Sequence, residues 1–220
     1  MNLISGLFGL FVAGSSAASL HHIRSRGLAS MSASINNRVS LGAGCYWGTE
    51  KFIKKDFAQE IVPGSVEWGK VGFMNPDAKA KPDPTYRDVC SGSTGYVEVY
   101  DCKLTPKASN EADFEKLLKH FFSFHDPTTL NAQGNDRGTQ YASVIFCYDD
   151  KQKEIAEKVK AEVQSLIDSK TITSYQGPKV TTAIVPATTF YEAQSDHQEY
   201  LDVNPWGYCN HAYRFKWKFD

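Results

Sequence analysis

The stretch Gly95–His125, GYVEVYDCKLTPKASNEADFEKLLKHFFSFH, carries two periodicities back to back. From Gly95 to Leu104 the side chains alternate. Val97 and Val99 fall on one face, and Tyr96, Glu98, Tyr100, Cys102 and Leu104 on the other, which is the period of two expected of a strand. From Asn110 to His125 the apolar residues Phe114, Leu117, Leu118, Phe121 and Phe122 recur at three- and four-residue spacing, one stripe of a helix. Asn110 is placed to cap that helix, with Asp113 three residues on. A half-apolar strand and a striped helix each need a partner layer to bury their apolar side, so the pair points to a sheet with helices packed on it.

The same alternation continues outward. On the N-terminal side, VSLGAG (Val39–Gly44) is a short apolar run ending in glycines, and WGTEKFIKKDF (Trp47–Phe57) can open a helix. SVEWGKVGF (Ser65–Phe73) reads as a strand, and MNPDAKAKPDPT (Met74–Thr85) as a loop holding three prolines. On the C-terminal side, Asp126–Gln140 is a long loop without apolar periodicity, a kind that is usually functional or disordered. Tyr141–Tyr148 and Lys179–Val185 read as strands, Lys151–Ile167 and Tyr191–Val203 as helices, and Asn204–Asp220 as an irregular tail. The expected class is α/β or α+β, a mixed sheet with helices packed on it, formed by one domain over residues 36–220.

Charge is nearly balanced, 24 Lys+Arg against 25 Asp+Glu, which gives no footprint for a nucleic-acid partner. The five cysteines show neither a C-x-x-C pair nor zinc-finger spacing, so neither a metal site nor a disulfide scaffold is indicated. Residues 1–35 differ from the rest. The apolar run LISGLFGLFVAG is too short to span a membrane, Ser, Ala and Arg follow it, and no Asp or Glu precedes Glu50. That profile is expected of a leader for a mitochondrion or plastid. A secretory signal is the rival, and Met31 as a second start would give a cytoplasmic form. No apolar surface helix asks for a partner, so a monomer is expected.

Cys45 stands where a strand hands over to a helix, in SLGAGCYWGTEKF (Ser40–Phe52). Unpaired N–H groups at a helix start favour a negative group and can lower a thiol pKa, and the flanking glycines let other atoms approach the sulfur. The plain alternative is a small buried cysteine at a strand end. Glu98 shares its face with Tyr, Cys and Leu. Turned inward it would be a carboxyl kept protonated by burial and able to donate a proton; turned outward it is solvated. The loop GNDRGTQY brings Asp136 and Tyr141 to a strand start, where polar groups often serve a site or simply make a turn. Cys209, in WGYCN, is either a thiol on a mobile tail that meets another or a spectator. Cys90 reads as a core residue at a helix end, Cys102 and Cys147 as strand residues. His197 is read as a residue on a helix, structural rather than a base for Cys45.

Taken together, GAGCYWGTE, PTYRDVCSGSTGYVEV, HDPTTLNAQGNDRGTQYASVIF, FYEAQSDHQEYL and NPWGYC resemble, in order and from Val39 to Cys209, the blocks of the peptide methionine sulfoxide reductase A family. The resemblance implies a two-layer sandwich of ferredoxin-like topology and a set of roles. Cys45 attacks the sulfur of a methionine S-sulfoxide, free or in oxidised proteins, and Glu98 donates a proton toward its oxygen. Tyr86 and Tyr141 bond that oxygen, Asp136 and Tyr208 lie near it, and Tyr46 and Trp47 line a pocket for the S-methyl group. Cys45 becomes a sulfenic acid, Cys209 resolves it as a disulfide, and thioredoxin (dithiothreitol in vitro) reduces that disulfide, with no bound cofactor or metal. The implied role is repair of oxidised proteins under oxidative stress.

The sequence departs from the family pattern at four points. Tyr46 replaces the commoner phenylalanine, and Tyr96 the usual histidine two residues before the glutamate. MNPDAKAKPDP stands where a glycine pair is expected, and no cysteine follows Cys209. The rival enzyme is a papain-like cysteine hydrolase using Cys45 and His197, which lies downstream at about the 150 residues that family uses. A non-catalytic binding module with a structural Cys45 is the third reading.

Overall fold

The computed structural model describes residues 35–219. The leader expected over residues 1–35 lies outside them except for Ile35, which is buried in the core. In chain order the elements are β1 (Arg38–Ala43), α1 (Tyr46–Lys51, continued by a π-helix over Phe52–Ile61), β2 (Val66–Met74), α2 (Tyr86–Cys90), β3 (Val97–Leu104) and α3 (Glu111–Phe124). They are followed by β4 (Ala132–Gln133), β5 (Asp136–Arg137), β6 (Ser143–Cys147), α4 (Asp150–Asp168), β7 (Ala183–Pro186), β8 (Tyr191–Glu192) and α5 (Tyr200–Val203).

Six strands form one sheet in the order β7-β6-β1-β3-β2-β8. Every pairing is antiparallel except β6 with β7, so the sheet is mixed. Its inner four strands, β6-β1-β3-β2, are connected as strand, helix, strand, strand, helix, strand, the ferredoxin-like arrangement.

β3 occupies the middle because it is apolar on both faces. Tyr96, Tyr100, Cys102 and Leu104 join the main core with Val39, Leu41 and the helices. Val97 and Val99 join a smaller cluster on the other face with Met74, Val144 and Phe146. α3 buries Phe114, Leu117, Leu118, Phe121 and Phe122 completely, each contributing roughly 1.5–3 kcal/mol of apolar burial. Its start is fixed as expected: the Asn110 side chain accepts the Asp113 N–H at 2.9 Å.

Two expectations are corrected. Tyr191–Val203 is not one helix: β8 pairs with β2, a 3₁₀ turn spans Ser195–His197, and α5 is a single turn. Only Ala193 and Leu201 of this strap are buried, too few for a helical stripe. Instead Gln198 behaves as a strand backbone would, its Oε1 accepting from Val71 N and its Nε2 donating to Val71 O, both at 2.9 Å. Glu199, in the left-handed region at φ +54°, breaks any helix there. β7 begins only at Ala183, because upstream backbone is spent elsewhere: Val180 N donates to Gln164 Oε1 and Thr181 N to Pro127 O. The long loop is ordered around the β4–β5 hairpin.

Candidate active site

β1 ends at Ala43, Gly44 turns the chain at φ +94°, and Cys45 caps α1. A side chain on Gly44 would strike Gln133, and one on Gly48 would strike the His211 ring. The glycines beside Cys45 therefore admit Gln133 and His211, protein groups that build the site.

Cys45 is buried. Burial raises its pKa first and the neighbouring Glu98 adds to that; the backbone N–H groups of Trp47 and Gly48 pull it down but lose. The thiol thus rests well above its ordinary range, which corrects the expectation of a lowered pKa. The helix start does favour the thiolate; desolvation outweighs it.

Glu98 faces inward, 2% exposed, and its Oε2 accepts the N–H of Tyr46 at 3.1 Å. Burial pushes its pKa up to about 8, with the Asp136 charge adding and the Tyr46 N–H opposing. None of those influences is a cation, so burial favours the protonated carboxyl, one peptide away from the thiol.

The other expected residues converge here. Tyr141 closes a 3₁₀ turn, and burial beside Glu98, Asp136 and Cys45 raises the pKa of its hydroxyl. Asp136 accepts from Tyr208 Oη at 3.1 Å and from Asn210 Nδ2 at 2.8 Å. Tyr46, Phe73, Tyr86 and His197 form a closed ring of contacts, with centroid separations of 5.9, 6.5, 4.5 and 5.7 Å in turn. Trp47 stacks on Tyr200 at 3.8 Å and on His197 at 5.8 Å. His197 is therefore a wall of this aromatic box, on a 3₁₀ turn, and makes no hydrogen bond to Cys45. Cys90, expected in the core, is exposed at the end of α2 beside the Tyr86 hydroxyl.

The tail is irregular but anchored. Asn210 Nδ2 also donates to Gln133 O at 2.6 Å, and His211 Nε2 bonds Ala43 O at 2.7 Å. Half-buried Cys209 has its Sγ 3.9 Å from His211 Nδ1, whose ring packs on Gly48 of α1, and both Cys45 and Cys209 are free thiols. Asn210 and His211 were missed in the sequence; the one signal for them was a bare Gly48 with no evident neighbour. Among the described residues no group of three His, Cys, Asp or Glu is placed to hold a metal ion, and no helix is long and apolar enough to cross a membrane.

The sequence model of the family described as peptide methionine sulfoxide reductase matches residues 37–219. The chain belongs to that family. It is 38% identical over 189 residues to the peptide methionine sulfoxide reductase MsrA of Vibrio cholerae, covering 86% of this chain and 81% of that one. The MsrA of Polynucleobacter asymbioticus is 41% identical over 173 residues, 78% and 80% of the two chains. Among solved structures, Mxr1 of Saccharomyces cerevisiae in reduced form superposes with TM-score 0.68 at 35% identity, covering 82% of this chain and 93% of that one. Methionine sulfoxide reductase A of Corynebacterium diphtheriae gives 0.64 at 31% identity, covering 79% and 77%.

Two departures from the reductase pattern meet in space. Tyr96 Oη donates to Lys81 O at 2.8 Å, so the tyrosine in the usual histidine position braces the loop that lacks the glycine pair. That loop leads directly into Tyr86.

Proposed function

We propose that this chain reduces methionine S-sulfoxide, free or in oxidised proteins, with Cys45 as nucleophile and Glu98 as acid. The observation that carries the roles is the buried Glu98 carboxyl, its protonated form favoured, bonded to the N–H of the residue after Cys45. The Cys45 sulfur bonds the sulfoxide sulfur while Glu98 gives its proton to the oxygen, and the thiol proton restores Glu98. The oxygen then passes to Cys45 as a sulfenic acid and methionine leaves. The sulfoxide sulfur gains the two electrons that the Cys45 sulfur loses. Tyr86 and Tyr141 hydroxyls hold the oxygen, Asp136 and Tyr208 flank it, and Tyr46 and Trp47 take the methyl group. A protonated resting thiol suits this scheme, because proton and electron pair move as the oxygen is protonated.

Cys209 then attacks the sulfenic sulfur; a disulfide forms and water leaves. Thioredoxin, or dithiothreitol in vitro, reduces it by thiol exchange, and no bound cofactor enters. The tail contacts to Gln133, Asp136 and Ala43 support this pairing, since they anchor the residues next to Cys209, and His211 beside it packs on Gly48, three residues after Cys45. The acid-free first 35 residues support delivery to a mitochondrion or plastid, with a cytoplasmic form from Met31. The packing of His197 among aromatic rings disfavours a papain-like hydrolase.

The test is Cys209→Ser with methionine S-sulfoxide. One equivalent of methionine per enzyme is expected, and no thioredoxin-supported cycling; sustained cycling would overturn the resolving role. Methionine formation by Cys45→Ser would overturn the whole reading.

A further inference from the structure

Glu50 lies one turn beyond Tyr46 on α1, is 4% exposed, and has no task in the reaction above. A buried carboxyl group is costly and calls for a reason. Its Oε2 accepts the backbone N–H of Glu199 at 2.9 Å. Glu199 is the residue at φ +54°, and its own side chain turns away to Lys54 at 2.5 Å, which also binds Asp202 at 2.9 Å. So what Glu50 grips is the backbone of the strap at its most strained point, not a side chain. On either side of that point stand the two rings packed on Trp47: His197 at 5.8 Å and Tyr200 at 3.8 Å. Trp47 belongs to the same helix as Glu50, three residues earlier. The loop thus closes on itself, from Glu50 to Glu199, from Glu199 to His197 and Tyr200, and from those rings back to Trp47 beside Cys45. The strap buries only Ala193 and Leu201; the β8–β2 pairing and the Val71 bonds of Ala193 and Gln198 hold its first half, the Lys54 and Lys55 pairs hold side chains of its second half, and the Glu50 bond fixes its backbone between the two rings.

We propose that Glu50 is a positioning residue for the methyl pocket: its carboxyl oxygen holds the Glu199 N–H and so fixes His197 and Tyr200 against Trp47. The inference rests on the reductase reading of that pocket. Glu50 touches neither sulfur nor oxygen of a bound sulfoxide; it acts through the strap. Lys54, Glu199, Asp202 and Tyr100 are the charged and titratable groups facing it.

The experiment uses the full chain, dithiothreitol as reductant and N-acetyl-methionine S-sulfoxide as substrate, and measures KM, kcat and the rate of Cys45 alkylation by iodoacetamide. Loss of the grip loosens the stack, so Glu50→Ala should raise KM about tenfold while leaving kcat within about twofold. The alkylation rate should not change, since the thiol's surroundings stay as they were. Glu50→Gln keeps an acceptor oxygen and should stay within about twofold of wild type in KM. Glu199→Asn tolerates the left-handed backbone, keeps the N–H and loses the Lys54 pair; it should also behave as wild type. A normal KM in Glu50→Ala overturns the proposal, as does an equal rise in Glu50→Gln or Glu199→Asn. Should Glu50→Ala fail to fold, Tyr200→Leu breaks the stack from its other end. The same KM rise with normal alkylation supports the inference, and an unchanged KM overturns it. Failure of the underlying reading shows separately, as sulfoxide reduction that survives Cys45→Ser.

Discussion

β3 carries two buried carboxyl groups three residues apart, and their surroundings could hardly differ more. Glu98 points into the main core at 2% exposure and receives one backbone N–H. Asp101 points to the opposite face at 0% exposure and is saturated with partners. Arg38 meets it through Nη2 at 2.7 Å and Nε at 3.1 Å, Ser40 Oγ donates at 2.6 Å and Tyr148 Oη at 3.1 Å. Trp68, Tyr148 and Phe190 surround the Arg38 guanidinium at 5.5, 5.2 and 6.0 Å. Equal burial therefore gives opposite consequences. A carboxyl bonded by a guanidinium and two hydroxyls is a strut between strands. One with a single N–H and only anions nearby keeps its proton and becomes an acid.

The sharpest way to break the contrast is Glu98→Gln. The amide keeps the shape and the acceptor for Tyr46 N–H but has no acidic proton, so kcat should fall about 100-fold or more with the fold intact. In the wild-type protein kcat should decline as pH rises through about 8, where Glu98 ionises. The same group sets a stability trend. Its folded pKa lies above the unfolded one, so stability is full below the unfolded carboxyl pKa, about 4.3, and is lost as pH rises through about 8. Glu98→Gln should flatten that decline in urea midpoints. A variant retaining a tenth of the activity, or a wild-type kcat level from pH 7 to 9.5, would remove Glu98 from the role of acid.

Asp101→Asn should do the reverse. It strands Arg38, and breaking a buried pair costs about 3–5 kcal/mol; with Arg38 about one-third exposed, roughly 2–3 kcal/mol is expected. Activity per folded molecule should stay within about twofold, because Asp101 faces away from Cys45. Equilibrium denaturation and kcat on the same sample decide it. Lost activity at unchanged stability would mean that the two faces are coupled.

Sequence alone could not separate these two residues. Alternation along Gly95–Leu104 assigns the faces correctly, but both faces are buried, so it leaves Glu98 and Asp101 equivalent. What distinguishes them is Arg38, which lies on β1 and is brought alongside only by the β1–β3 register. The helices of Asn110–His125 and Lys151–Ile167 were legible because burial there follows one stripe. The strap was misread because Gln198 supplies strand-like bonds from a side chain, a pattern with no periodicity. The thiol's pKa was misjudged because the helix start is visible in a sequence and the depth of burial is not.

The smallest effect sharpens the comparison at Tyr46, which repeats the predicament of Glu98 on the same face. Its hydroxyl is buried and meets no partner among the described residues, although the ring is well held by Phe73 and His197. A buried hydroxyl left unpaired costs about 1–3 kcal/mol, so Tyr46→Phe should raise stability by roughly 1 kcal/mol while keeping the ring contacts. Activity should remain within about twofold, since the methyl pocket needs a ring face and not a phenol. Denaturation midpoints and kcat/KM on N-acetyl-methionine S-sulfoxide test this together. A destabilised or tenfold slower Tyr46→Phe protein would mean that the hydroxyl has a partner during catalysis. The face of β3 that carries Glu98 would then hold two working polar groups, and the contrast with the fully satisfied Asp101 face would widen.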